Sequence, residues 1–204
     1  MTTLIWYIII AEFITYAGSA ETYRNISEMI KNGEVANMLI RPVNFVGYII
    51  SQQSGVIIKI AVNACGAIIL GLVFAGTISI TLTQLIFVVI ASLFGLMIQL
   101  FIHSLIGIIA MLTEENKAFY LILGKLQLLL VFTPLEFFSS NIQKVLAWLP
   151  TTYIVYPPAR LLVNFNTLTG IELMIKQIIS FLFIFCMIIF VYRKGVKKIN
   201  VNGG

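Results

Sequence analysis

The chain alternates between long apolar runs and short polar breaks, and the run lengths define its predicted elements. Leu4–Ala20 is apolar except for Glu12, and a charged stretch, Glu21–Asn44, follows. A second apolar run covers Val56–Ala75, a Thr-rich uncharged turn covers Gly76–Thr83, and a third run extends from Leu85 to about Leu112. A spanning helix needs about 20 apolar residues, so each run predicts a membrane span, and the third is long enough to tilt or project. Glu114, Glu115, Asn116 and Lys117 close it. Ala118–Thr133 is also apolar, but Lys125 interrupts it and Pro134 stops it. The stretch between Lys125 and Glu136 gives only about 15 Å of helix, half a bilayer. Beyond it, Trp148, Pro150, Tyr153, Tyr156, Pro157 and Pro158 suit an interfacial or re-entrant segment better than a crossing. Leu173–Tyr192 is the last span, and a tail with Arg193, Lys194, Lys197 and Lys198 follows.

Composition agrees with this class. Of 204 residues, 60% are hydrophobic and 10% charged, against roughly 45–50% and about 25% in soluble domains. No formal charge falls between Lys59 and Glu114. The expectation is therefore an all-α, polytopic membrane helix bundle forming a single domain. It has about five transmembrane helices, a cytoplasmic amphipathic segment (21–44), a re-entrant or interfacial hairpin (134–171) and a cytoplasmic tail (193–204).

The net charge of +5 sits in short clusters beside apolar runs. That pattern marks the cytoplasmic side and points to acidic lipid headgroups, not nucleic acid. With the first span entering from outside, the inner side holds Arg24, Lys31, Arg41, Lys59, Lys117, Lys125 and the four tail cations. The outer side holds only Lys144, Arg160 and Lys176, so the C-terminus is expected in the cytoplasm. Met1-Thr2-Thr3 carries no positive side chain and the run behind it has no convincing cleavage site, so no cleavable signal peptide is expected. Cys65 and Cys186 lie inside apolar runs and read as packing residues.

A charge at mid-bilayer costs at least about 2.5–3.5 kcal/mol, so polar residues inside the spans need a reason. Glu12 could contact a substrate or ion, pair with a cation across the bundle, or join two helices as a buried, hydrogen-bonded carboxyl. In the third span Ala91, Gly95, Gln99, His103 and Gly107 recur every four residues and form one stripe of a helix. Small residues there admit a neighbouring backbone, and polar ones find partners away from lipid. His103 reads as a proton relay, a substrate contact or a satisfied bundle histidine. It is the only His, and with no Asp in the chain no metal site is expected. Lys59, Asn63, Ala67, Gly71 and Ala75 repeat the stripe on the second span.

In the cytoplasmic stretch, Ile26, Met29 and Ile30 alternate with Glu21, Arg24, Glu28 and Lys31 as on an amphipathic helix. Gly33 follows where a C-cap favours positive φ. Val35–Ile40 is a second short apolar run, ended by Arg41-Pro42. Such a helix either lies on the membrane or docks onto a cytoplasmic partner. No phosphate-binding loop, H-E-x-x-H or G-x-S-x-G motif occurs, so neither a cofactor nor chemistry by this chain itself is expected.

The run Ile30-Lys31-Asn32-Gly33-Glu34-Val35-Ala36-Asn37-Met38-Leu39-Ile40-Arg41-Pro42 resembles the I-x-x-G-x-[IV]-A-x-x-L-[LI]-R-P stretch of type-2 ABC (ATP-binding cassette) exporter permeases. In particular it is similar to a bacterial branch whose genes travel with a separate ATPase. Pro134-Leu135-Glu136-Phe137-Phe138, Trp148-Leu149-Pro150 leading to Tyr156-Pro157-Pro158-Ala159-Arg160, and Gly195 with Asn202-Gly203-Gly204 agree in order. The resemblance implies a non-catalytic permease subunit of the bacterial plasma membrane that pairs with a second permease and with ATP-binding subunits. The family's six spans imply that this chain begins at the second. The resemblance places the coupling helix in Glu21–Pro42 and the extracellular re-entrant hairpin in Pro134–Arg160. Expected ATPase-coupling residues are Arg24, Ile26, Glu28, Lys31, Gly33, Glu34 and Arg41; Glu12, Gln99 and His103 are the expected intramembrane polar residues. Rival readings are a membrane scaffold or immunity protein without a transport cycle, and an ion-coupled secondary transporter using Glu12 and His103.

Overall fold

A computed structural model describes residues 2–17, 21–34, 47–48, 51, 57–113 and 116–202. Each long apolar run folds as helix, and no strand occurs among the described residues. The helices are α1 (Thr2–Ala17), α2 (Glu21–Lys31), α3 (Ile57–Phe74), α4 (Leu82–Ile109), α5 (Lys117–Phe132), α6 (Ser140–Leu146), α7 (Thr152–Val163) and α8 (Thr167–Asn202). A 3₁₀ turn, Leu135–Phe137, follows α5. The start of α4 is set by Thr81, whose hydroxyl accepts from the Gln84 N–H at 3.2 Å and so satisfies one of the first-turn donors.

α4 is the axis of the bundle, and α7 and α8 lie along it. α8 runs parallel to it: Gly170 meets Phe87, Gln177 bonds to Ala91, and Gly195 packs on Met111. α5 runs the other way, with Tyr120 beside His103 and Gln127 beside Gln99. α1 descends from Tyr7, near Leu130, to Ile14, near Gly95, and α3 packs against α1. The core is filled by Ile14, Ile98, Leu130, Ile154 and Leu161, while Val73, Phe74, Leu82 and Leu168 point outward. A water-soluble monomer does not expose so much contiguous apolar surface. Helical stretches within Thr2–Lys31, Leu82–Ile109 and Thr167–Lys198 are long and apolar enough to cross a membrane. The molecule is an all-α membrane helix bundle.

At three places the structure refines or departs from the sequence reading. The basic tail is helical: α8 continues through Asn202, held by Gly195 against Met111 and by Lys198 Nζ donating to the Leu112 carbonyl at 3.0 Å. Cys65 and Cys186 are exposed on outward apolar faces instead of packing in the core. The Pro-rich stretch, expected as an interfacial or re-entrant segment, contains the helix α7. It covers the first half of α4, from Gly95 opposite Ile154 back to Gln84 opposite Leu161 and Leu162. Segment 134–163 thus enters and leaves at the same end of the bundle. Thr152 Oγ1 to the Leu146 carbonyl (2.7 Å) and Tyr153 to the Ala147 carbonyl (2.9 Å) close its turn.

Two consecutive prolines in α7 leave two carbonyls without helical partners, because neither Pro157 nor Pro158 has an N–H to donate to Tyr153 or Ile154. α8 supplies a replacement donor for the first, and α4 makes room for the second. Gln177 Nε2 donates to the Tyr153 carbonyl at 3.0 Å and also to the Ala91 carbonyl at 2.9 Å. The Ile154 carbonyl fits against Gly95, where a Cβ would collide with it. Neighbouring helices can re-satisfy a proline break in this way inside a membrane bundle.

Candidate functional site

The charged helix α2 is fixed to the bundle by one face. Ile26 is 1% exposed and sits on Gly107 of α4, where an added Cβ would lie 2.7 Å from the Ile26 Cβ and 3.2 Å from the Tyr23 carbonyl. Tyr23 stacks on Tyr120 of α5 at 4.3 Å between centroids. Ser27 Oγ donates to Asn116 Oδ1 at 3.3 Å, and Asn116 Nδ2 donates to the Ile106 carbonyl at 2.9 Å. The apolar face is therefore held by α4 and α5. Ile26 anchors the helix and does not reach its surface.

The opposite face carries Glu21, Arg24, Asn25, Glu28 and Lys31, all exposed. Gly33 has φ +74° with no atom within 4 Å of an added Cβ, so it serves the turn that ends α2 and not packing. Glu34 is exposed beside it. Arg41 and the run Val35–Ile40 lie outside the described residues.

Deeper in the bundle, Ala91, Gly95, Gln99, His103 and Gly107 share one buried face of α4. Gln99 Nε2 donates to Gln127 Oε1 of α5 at 3.4 Å, and Gln127 Nε2 returns a bond to Gln99 Oε1. His103 is buried beside Tyr120, at 5.7 Å between ring centroids, and so connects through Tyr120 to Tyr23 on α2. Glu12 stands half-buried on α1, on a different helix from this column.

A protein-family model described as ABC-2 family transporter protein matches residues 1–203. The chain belongs to this family. No curated protein and no solved structure matches it. It is thus an ABC-2 permease, a membrane subunit of an ABC transporter that does no catalysis itself. In this permease the charged face of α2 is exposed and backed by two bundle helices, and the column ending at Gly107 lies behind it.

Several residues that organise the permease were not singled out from sequence. Gln84 Nε2 donates to the Leu161 and Leu162 carbonyls at 3.1 and 2.8 Å, tying the end of α7 to α4. Gln127 and Gln177 complete the buried amide contacts already described. Their signal was present: each is a lone amide in an apolar helix, where an unpaired polar group is costly. Glu136 pairs with Arg160 at 2.6 Å and accepts from the Tyr156 hydroxyl at 2.8 Å, clipping the two limbs of the hairpin together. Burial, then the Glu136 carboxylate, pushes the Tyr156 phenol above its ordinary value. Between α1, α3 and α4 lies an apolar cleft of about 530 Å³, with Ile10, Phe13, Ile60, Ala64 and Leu93 on its walls.

Proposed function

We propose that this ABC-2 permease is an exporter subunit that works by alternating access, driven by a separate ATP-binding cassette ATPase docked on the charged face of α2. The observation that carries the reading is the attachment of α2: its outer face is charged, while Ile26, Tyr23 and Ser27 lock its inner face to α4 and α5. Force applied to Arg24, Glu28, Lys31 or Glu34 would pass into the bundle and not be lost in a loop, because packed interiors transmit displacement. Exposed charges of both signs orient a docking partner. Gly33 ends the helix, and Arg41 belongs to the same segment.

In this reading two permeases, identical or paralogous, pair in the bacterial plasma membrane with lipids around them and their C-termini in the cytoplasm. The substrate path runs at the permease–permease interface. Gln99 and His103, buried inside each permease, serve as bundle contacts that keep α4 and α5 moving together, and Glu12 is a candidate path residue on α1.

Reversing both charges, Glu28→Lys with Lys31→Glu, should abolish co-purification with the ATPase. Undiminished binding with transport-coupled ATP hydrolysis would sink the docking assignment. A scaffold without a transport cycle predicts that no ATPase associates with the co-expressed chain. An ion-coupled carrier predicts transport that survives ATP depletion and stops when the proton gradient collapses.

A further inference from the structure

α8 does not stop where its apolar run stops. Gln177–Tyr192 carries no charge; Arg193, Lys194, Lys197 and Lys198 follow, and no acidic residue occurs after Glu172. At about 100° per residue, Arg193 and Lys197 lie opposite the buried face formed by Ile184, Ile188, Val191 and Gly195, with Lys194 to one side and Lys198 at the edge of that face. Arg193, Lys194 and Lys197 are exposed, and among the described residues none of the three pairs with a carboxylate.

This arc is held in place. An added Cβ on Gly195 would lie 2.6 Å from the Met111 Cβ, so the α8 backbone is flush against the end of α4. Lys198 caps the Leu112 carbonyl, and Lys194 Nζ stands 4.6 Å from the Phe190 ring centroid, a cation–π distance. The aromatic rings of Phe190 and Tyr192 directly precede the cations, as at a membrane–water interface.

We propose that Arg193, Lys194 and Lys197 form a headgroup site for anionic phospholipid, binding its phosphate where the apolar run of α8 ends. The single sign of the arc argues for a lipid surface over a protein. The α2 face mixes Glu21 and Glu28 with Arg24 and Lys31, as suits a protein partner, whereas the four cations from Arg193 to Lys198, just past a membrane helix, match an acidic leaflet. The site requires only that α8 crosses the bilayer. It does not depend on the docking of an ATPase at α2.

The test is reconstitution of the permease into nanodiscs of phosphatidylcholine with a minor fraction of phosphatidylglycerol, counting retained phosphatidylglycerol by native mass spectrometry. The variant Arg193→Gln/Lys194→Gln/Lys197→Gln keeps Lys198 and the Gly195 seat. Its preference for phosphatidylglycerol should fall roughly a hundredfold, as expected for three surface cations. Arg193→Lys/Lys197→Arg should retain it, and raised salt should weaken it in the unmodified chain.

An unchanged preference in the triple variant would overturn the proposal. So would an equal loss on replacing Lys144 and Lys176, or displacement of the lipid by inorganic phosphate. If the triple variant fails to fold, the salt titration decides, and a salt-independent preference rejects the site. Loss of ATPase co-purification with phosphatidylglycerol retained would make the arc a protein-docking face instead.

Discussion

Gln177 is the residue on which the centre of the bundle turns. It is fully buried, and its amide meets the carbonyl that Pro157 leaves open in α7. Gln177→Leu removes that donor and strands a buried acceptor, a loss of about 1–3 kcal/mol. Thermal unfolding in detergent should show it, with α7 the first region to gain hydrogen exchange. Gly95 makes the matching contribution on α4 by leaving room for the Ile154 carbonyl. Gly95→Ala should destabilise by about 1–3 kcal/mol through overpacking. Gly124 provides the opposite control, since nothing lies within 4 Å of its added Cβ. Gly124→Ala in the exposed middle of α5 should stabilise by up to about 1 kcal/mol. Equal effects from the two alanines would refute the close contact at Gly95.

At the scale of the element, the two faces of α2 allow the proposed docking and transmission to be tested separately. Gly107→Leu would push Ile26 away from α4 without altering the charged face of α2. ATPase co-purification should persist while stimulation of ATP hydrolysis by the permease is lost, a split that reversal at Glu28 and Lys31 does not produce. Loss of both together would mean that docking itself needs the Ile26 contact. The same helix shows what sequence can reveal. Its face was legible because charged and apolar positions alternate with helical period, and the α4 stripe because Ala91, Gly95, Gln99, His103 and Gly107 keep that period for four turns. α7 was not legible, because prolines signal a break and the compensating donor sits on α8, about twenty residues away. The basic end of α8 was legible in its charge but not in its helix, which depends on Met111 and Leu112 of another element. Ile26 was legible on the apolar face of an amphipathic helix, but its seat was not, since that is decided by Gly107 on another helix.

Across the whole molecule the hairpin is the part that enters and leaves by one end, clipped by Glu136 to Arg160 and Tyr156. Trp148 near its turn is 88% exposed, whereas Trp6, the other tryptophan, is buried and donates to the Gly76 carbonyl at 2.9 Å. A Trp6→Phe permease therefore has one tryptophan reporter, on the hairpin. If ATP drives the bundle through α2, Trp148 emission should shift on adding ATP to the assembled complex and should stop shifting in Gly107→Leu. A shift that is the same without the ATPase would exclude the coupling.

The outward-facing thiols have a practical consequence. Cys65 and Cys186 sit on apolar surface away from both ends of their helices, where acyl chains would surround them. Charged, impermeant maleimides should reach neither, while a small hydrophobic maleimide should label both. The natural chain is then already a silent background for accessibility mapping. A single cysteine placed at Ser140 or Lys31 can be read in living membranes with both native thiols left in place.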